Sequence, residues 1–299
     1  MIAKGMITIV DNMKFAVIGG DMRQAKLAEL LYADGHQVST FAIDEIENLS
    51  GVHRAECPEQ AIEDAGCVVL PLPIISAPGV LNAPLGRDTH GLEGIFSALR
   101  SDQMITGGRI DSSTYDMARG LGLSISDYYA REELMVSNAT ATAEGAIKIA
   151  MDETPTTLLG SKCLVIGFGR IGKILAHRLK GMGAVVTASG HTYTDEAWIL
   201  AYGYNALDTG LLEGHLRSFD IIFNTVPARI LNKARLKEVR GNSLLIDLSS
   251  KPGGMDFITA GNLGLKAIWA LSLPGKVAPV TSGIVIKNTI YNMLREQGL

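Results

Sequence analysis

Cysteine is scarce in the 299-residue sequence, and its three copies form no metal or redox pattern. Cys57, Cys67 and Cys163 include no C-x-x-C pair, and an odd number cannot pair completely into disulfides. The six histidines are also scattered, without the spacing of metal ligands. We therefore expect no metal site and no disulfide framework, and the reducing cytoplasm is the expected compartment.

Long apolar runs and an excess charge of one sign are also lacking. The formal net charge is −4, which gives no electrostatic footprint for nucleic acid or for an anionic membrane surface. No apolar run approaches the ~20 residues that a membrane-spanning helix needs. The N-terminal segment has no small-residue cleavage site, so we do not expect a signal peptide. The hydrolase, zinc-protease and P-loop motifs G-x-S-x-G, H-E-x-x-H and G-x-x-x-x-G-K-[ST] are absent as well.

The sequence is rich in short apolar runs that alternate with helix-like stretches, and 47% of its residues are hydrophobic. This alternation predicts an α/β fold with mainly parallel sheets in two domains. Residues 1–137 are expected to form a flavodoxin-like domain. Its predicted strands are residues 15–18, 37–41, 67–72, 104–106 and 123–126.

The second domain is predicted over residues 138–280 as a Rossmann dinucleotide-binding domain. An alanine-rich stretch, residues 137–151, is expected to be a helix that links the two domains. The predicted strands that follow are residues 162–166, 184–188, 221–224, 244–248 and 266–269. The apolar spacing of residues 281–299 predicts a final helix, which we expect to pack back onto the first domain.

The glycine turn of the second domain is the strongest motif. Gly167, Gly169 and Gly172 form G-x-G-x-x-G, preceded by a predicted strand and followed by a predicted helix. In this context the glycines allow a tight turn, close approach to a pyrophosphate and close packing of helix and strand. With Arg170 and Ile171, they predict a dinucleotide site at the helix N-terminus.

The residues after the next predicted strand bear on the choice of coenzyme. NAD enzymes usually carry a carboxylate at that strand end, to hold the ribose hydroxyls. Here Ser189, His191 and Thr192 occupy this region, and the first carboxylate is Asp195. Hydroxyl and imidazole groups can bind a 2′-phosphate, so the sequence favours NADP; NAD is the alternative, with these as ordinary turn residues.

The first domain has a different turn, GGDMRQ at residues 19–24. Asp21 is expected to cap the following helix. Arg23 and Gln24 then lie on the first helical turn, where arginine could pair with a substrate carboxylate. The alternative is a solvent-exposed first turn without a ligand.

Several longer segments resemble the family of the dipicolinate synthase A subunit over essentially the full chain. The blocks DLSSKPGGMDF (247–257) and LPGKVAP (273–279) are the most specific, because no generic Rossmann protein needs both. The other supporting segments are residues 19–24, 142–147, 167–172, 224–227 and 230–232.

The resemblance implies an NADP-linked oxidation of a hydroxy-tetrahydrodipicolinate to pyridine-2,6-dicarboxylate during sporulation, in the mother-cell cytoplasm. It also implies a partner, the flavoprotein-like B subunit of dipicolinate synthase. Arg23, Gln24, Asn138 and Thr142 would bind the dicarboxylate substrate. Glu144 could accept a proton or simply form an ion pair, and Arg23 is a second weak catalytic candidate.

By the same resemblance, the ends of two strands would border the nicotinamide ribose. These cofactor positions are Asn224, Thr225, Val226, Pro227, Asp247, Leu248 and Ser249. Residues 77–102 receive no functional assignment.

Two further hypotheses stay open. The chain could be another NAD(P)-dependent amino-acid or hydroxyacid dehydrogenase, although residues 249–254 and 273–276 lack the arginine and histidine of D-2-hydroxyacid dehydrogenases. It could also be a cofactor-binding scaffold without chemistry of its own. A homodimer is possible by analogy with two-domain dehydrogenases.

Overall fold

The computed structural model describes residues 12–46 and 48–299 of the chain. Most of the N-terminal segment, on which the signal-peptide prediction depends, lies outside these residues. The described chain divides into two compact units, residues up to Met135 together with Ala278–Leu299, and Val136–Val277. None of the described helices is long and apolar enough to cross a membrane.

The first unit is built on a six-stranded parallel sheet, confirming the predicted α/β class. Its strands, together with a small hairpin formed by β5 and β6, are Lys14–Ile18 (β1), Gln37–Phe41 (β2), His53–Arg54 (β3), Cys67–Val69 (β4), Ile75–Ala77 (β5), Val80–Leu81 (β6), Met104–Gly107 (β7) and Ile125–Asp127 (β8). The sheet order is β3-β2-β1-β4-β7-β8. Without the two-residue edge strand β3, this is the flavodoxin-like order.

Helices cover both faces of this sheet. They are Met22–Ala33 (α1), Pro58–Ile62 (α2), Leu92–Ser97 (α3) and Ser112–Gly120 (α4). Side chains of β1 alternate between two cores, with Phe15 and Val17 on one face and Ala16 and Ile18 on the other. This double burial explains why the strands read as continuous apolar runs.

The second unit follows a long helix, Glu132–Glu153 (α5). Its elements are Lys162–Ile166 (β9), Arg170–Gly181 (α6), Val185–Gly190 (β10), Tyr193–Ala201 (α7), Asn205–Asp208 (β11), Ile221–Asn224 (β12), Lys233–Leu236 (α8), Leu244–Asp247 (β13), Phe257–Asn262 (α9), Lys266–Trp269 (β14) and Leu273–Val277 (α10). The parallel sheet order, β11-β10-β9-β12-β13-β14, is that of a Rossmann domain.

The strands that sequence patterning missed are short or polar. Strand β3 is the exposed pair His53–Arg54, and β11 is the edge segment Asn205–Asp208. Neither contains an apolar run, because edge strands need no burial on both faces. Backbone pairing with β2 and β10, rather than side-chain pattern, defines these two strands.

The C-terminal helix, Pro279–Glu296 (α11), packs against α1 within the first unit. A buried chain of hydrogen bonds joins them. The Nδ1 atom of His36 accepts from the Met13 N–H at 3.3 Å, so Nε2 carries the proton and donates to the Tyr291 oxygen at 2.8 Å. The Tyr291 hydroxyl then donates to Asp34 at 2.9 Å. Burial lowers the pKa of His36, which keeps the imidazole neutral as this chain requires.

The substitution Tyr291→Phe is expected to reduce the free energy of unfolding by about 1–3 kcal/mol, because the buried His36 N–H would lose its acceptor. Urea unfolding of the purified chain measures this change. Tyr32→Phe removes the hydroxyl of a half-exposed tyrosine in the same unit and serves as the control. An equal effect of the two substitutions would contradict the role given to the network.

Candidate functional site

The G-x-G-x-x-G turn connects β9 to α6, and each glycine meets a different constraint. Gly167 has a φ of +93°, and a Cβ on it would lie 2.5 Å from Thr225 Oγ1. A Cβ on Gly172 would lie only 2.0 Å from the Gly167 carbonyl oxygen. The first and third glycines are therefore required by the fold itself, because they allow the turn and the contact of helix with strand.

Gly169 differs, because its environment is open. It is the N-cap of α6 with an ordinary φ of −79°, and a Cβ on it would meet nothing within 4 Å. The positive end of a 12-residue helix dipole begins at this point. An open space at a helix N-terminus fits a pyrophosphate group, which lets the residues present hold a dinucleotide.

Substitutions at these two glycines are expected to separate coenzyme binding from folding. Gly169→Val should leave the melting temperature nearly unchanged and abolish coenzyme binding, because its side chain would fill the pyrophosphate position. Gly172→Ala should instead cost about 1–3 kcal/mol of stability, because the added methyl meets the Gly167 backbone. Calorimetric titration and thermal unfolding of both variants measure the two effects. Normal coenzyme affinity in Gly169→Val would contradict the site.

The ends of β12 and β13 are joined by a fully buried polar network. Asp247 Oδ1 accepts from Asn224 Nδ2 at 2.9 Å and from the Ser249 hydroxyl at 2.7 Å. Its Oδ2 accepts from the Gly254 N–H at 2.7 Å. Asp247 thereby anchors the segment from Ser249 to Gly254 against β12.

This network bears on the seven cofactor positions predicted at these strand ends. The side chains of Asn224, Asp247 and Ser249 are buried and bonded within the protein, and Leu248 is buried as well. Thr225 donates its hydroxyl to a β9 carbonyl oxygen. The exposed or half-buried positions are Val226 and Pro227. A ribose contact at this edge therefore remains a prediction, and it would use backbone groups and these two side chains.

The region after β10 is arranged differently from what the sequence suggested. The Ser189 side chain is fully buried and shares a 2.9 Å hydrogen bond with Thr209. The Thr192 hydroxyl caps α7 by accepting from the Asp195 N–H at 3.0 Å. Only His191, whose side chain is 83% exposed, remains available of the three groups expected to meet a 2′-phosphate.

Asp195 returns to the end of β10 in space. A Cβ on Gly190, the last residue of the strand, would lie 2.3 Å from Asp195 Cβ and 3.1 Å from its Oδ2. The same Oδ2 lies 3.4 Å from the His191 backbone nitrogen. Sequence reasoning missed this position because it looked for a carboxylate within the strand end, whereas the first turn of α7 delivers it.

In the first unit, Asp21 caps α1 as predicted, accepting from the Arg23 N–H at 3.0 Å. Arg23 and Gln24 are buried, so the alternative of a solvent-exposed first turn is wrong. The Arg23 guanidinium pairs through two nitrogens with Asp21 and donates to the Leu72 carbonyl. Its Nη1 has no hydrogen-bond partner among the described residues.

Gln24 is the deepest polar side chain of this turn. Its Nε2 donates to the buried Tyr128 hydroxyl at 3.1 Å, and this hydroxyl donates to the Leu70 carbonyl at 3.0 Å. Its Oε1 is buried without a partner in the described chain. A Cβ on Gly20 would clash with Gln24 at 2.6 Å, so the second glycine of GGDMRQ makes room for this amide.

The predicted site residues on α5 have local roles in the structure. The Thr142 hydroxyl donates to the Asn138 carbonyl one helical turn back, at 3.0 Å, and the Asn138 side chain is half-buried. Glu144 is exposed and forms a 2.9 Å ion pair with Arg178. It borders a groove of about 570 Å³ beside the C-terminal half of α6, away from the glycine turn. Of the two roles considered for Glu144, the structure displays the ion pair.

The described residues contain no group of three or more His, Cys, Asp or Glu placed to hold a metal ion. Burial raises the pKa of the Cys67 and Cys163 thiols, to about 12 for Cys163. Both thiols therefore stay protonated and unreactive near neutral pH.

The fold and the glycine turn define a class of protein. The chain carries a dehydrogenase-type, nicotinamide-dinucleotide-binding domain that follows a flavodoxin-like domain. In agreement, residues 130–250 match the family model described as the D-isomer specific 2-hydroxyacid dehydrogenase, NAD binding domain.

The particular protein that the chain resembles is the A subunit of dipicolinate synthase. Residues 14–129 match the model of the N-terminal domain of this dipicolinate synthase protein. The relative from Bacillus subtilis (strain 168) is 28% identical over 290 residues, which cover 96% of this chain and 98% of the relative. The family resemblance inferred from the sequence blocks is thereby confirmed.

Two solved structures extend the resemblance to the backbone. The dipicolinate synthase A subunit from Bacillus subtilis superposes with a TM-score of 0.85 at 28% identity, covering 96% of this chain and 97% of that one. The corresponding protein from Bacillus halodurans gives a TM-score of 0.86 at 26% identity, covering 94% and 97%.

Proposed function

We propose that this protein is an NAD(P)-dependent oxidoreductase that forms dipicolinate, pyridine-2,6-dicarboxylate, as the name of its relatives suggests. The substrate is a hydroxy-tetrahydrodipicolinate. Loss of water gives a dihydropyridine, and removal of one hydride and one proton completes the aromatic ring. NADP is the hydride acceptor that the sequence predicts, and NAD is the alternative.

The observation that carries this proposal is the coenzyme turn. Gly169 leaves open space at the N-terminus of α6, in a domain with Rossmann strand order. When bound there, the nicotinamide supplies the hydride acceptor. The protein then holds and orients the two reactants, because aromatisation makes the oxidation itself favourable.

The first unit offers a group for the dicarboxylate. Arg23 is buried, and Asp21 fixes the orientation of its guanidinium through two nitrogens. A guanidinium held in this way loses little further freedom when its remaining edge binds a carboxylate. Arg23 is the main candidate substrate ligand, and Gln24 supports it through its buried amide.

The proposal includes partners and a place of action. We infer a second polypeptide, the flavoprotein-like B subunit, since the relatives are named as one subunit of a synthase. A homodimer is also proposed by analogy with two-domain dehydrogenases. The expected compartment is the mother-cell cytoplasm during sporulation.

The direct test is an activity assay with the purified chain, alone and with the proposed flavoprotein-like partner. Hydroxy-tetrahydrodipicolinate and NADP or NAD should give reduced nicotinamide and dipicolinate in equal amounts. Reduction with simple 2-hydroxy acids or amino acids instead would favour the other dehydrogenases. Coenzyme binding without any reduction, with or without the partner protein, would favour the scaffold hypothesis.

Arg23→Ala is expected to weaken dipicolinate binding at least about tenfold, the effect of losing a charge-assisted hydrogen bond, with coenzyme affinity unchanged. Isothermal calorimetry with dipicolinate and with each coenzyme measures both. The control is Arg119→Ala, which breaks an exposed ion pair with Asp116 in the same unit. Unchanged dipicolinate affinity in Arg23→Ala, with only a lower melting temperature, would show that Arg23 is structural.

A further inference from the structure

We propose that Asp195 is the coenzyme-selecting residue of the Rossmann domain and that it favours NAD over NADP. The inference rests on the proposed function, because it assumes that a dinucleotide binds at the Gly167–Gly172 turn. It assigns to Asp195 a role that its sequence position, five residues beyond the last residue of β10, does not suggest.

The first observation is where the Asp195 carboxylate lies. In a Rossmann domain the adenosine ribose meets the carboxyl end of the second strand, where an acidic side chain accepts hydrogen bonds from the ribose hydroxyls. That place belongs to Gly190, the last residue of β10, which has no side chain to offer. A Cβ built on Gly190 would lie 3.1 Å from both Cγ and Oδ2 of Asp195. Asp195 therefore brings its carboxylate within a few ångströms of where a strand-end carboxylate would be.

The second observation is that local contacts hold this carboxylate in place. Thr192 caps α7 and accepts from the Asp195 N–H, which positions the residue on the first helical turn. The Oδ2 atom lies 3.4 Å from the His191 nitrogen and 3.8 Å from His191 Nδ1. The Asp195 side chain keeps 24% of its surface exposed, so a ribose can still reach it.

The third observation removes competing ligands for a 2′-phosphate. The Ser189 hydroxyl is buried against Thr209, and the Thr192 hydroxyl is occupied by its cap. A second carboxylate, Asp208, ends the neighbouring strand opposite Gly190 and accepts from the Gly210 N–H. A 2′-phosphate would therefore approach two negative charges, whereas a 2′-hydroxyl can donate to one of them.

The test compares wild-type protein with Asp195→Asn and Glu196→Gln by calorimetric titration with NAD and NADP. Asp195→Asn keeps the shape of the side chain and removes its charge. Glu196→Gln removes the same charge from the next residue, which is exposed and does not contact Gly190. Melting temperatures measured with the same samples show that all three proteins are folded.

We expect the wild-type protein to bind NAD more tightly than NADP. Asp195→Asn should lower the ratio of NAD to NADP affinity at least about tenfold, the value of one hydrogen bond to a charged group. Glu196→Gln should change the ratio by less than about threefold. A wild-type preference for NADP, or an unchanged ratio in Asp195→Asn, would overturn the role of Asp195. If the wild-type protein bound neither coenzyme, the proposed function would fail and this inference with it.

Discussion

The contact between α6 and the end of β9 is the constraint on which the coenzyme domain depends. The Cα of Gly172 packs so closely on the Gly167 carbonyl that even a methyl group would lie 2.0 Å from the oxygen. This contact sets the direction of α6 and leaves the space beside Gly169 open. The same turn is bounded on its other side by Thr225, so β12 also takes its position from it. Coenzyme binding is thus proposed at the point where the domain is packed most tightly.

Much of the fold could be predicted from the sequence, because burial on both faces of a parallel sheet leaves continuous apolar runs. The strands Gln37–Phe41, Lys162–Ile166, Ile221–Asn224 and Lys266–Trp269 have the predicted bounds. The glycine spacing likewise identified the turn, since each glycine answers a local backbone requirement. Polar edge strands could not be predicted in this way, because backbone pairing alone defines them.

The site could be predicted only where local sequence determines geometry. Arg23 is buried because the Leu72 carbonyl, 49 residues away, accepts from it. Ser189 turns inward because Thr209, 20 residues further on, meets its hydroxyl. Asp195 reaches Gly190 because a capped helix returns it there. Each of these depends on a contact that no motif records, and together they shift the physical argument on the coenzyme from NADP towards NAD.

The most direct test of the account is a crystal structure of the protein grown with NAD. The account predicts the pyrophosphate at the N-terminus of α6 beside Gly169, with the adenosine ribose at the end of β10 against Asp195. Coenzyme density at another place, or a ribose turned away from β10, would contradict it.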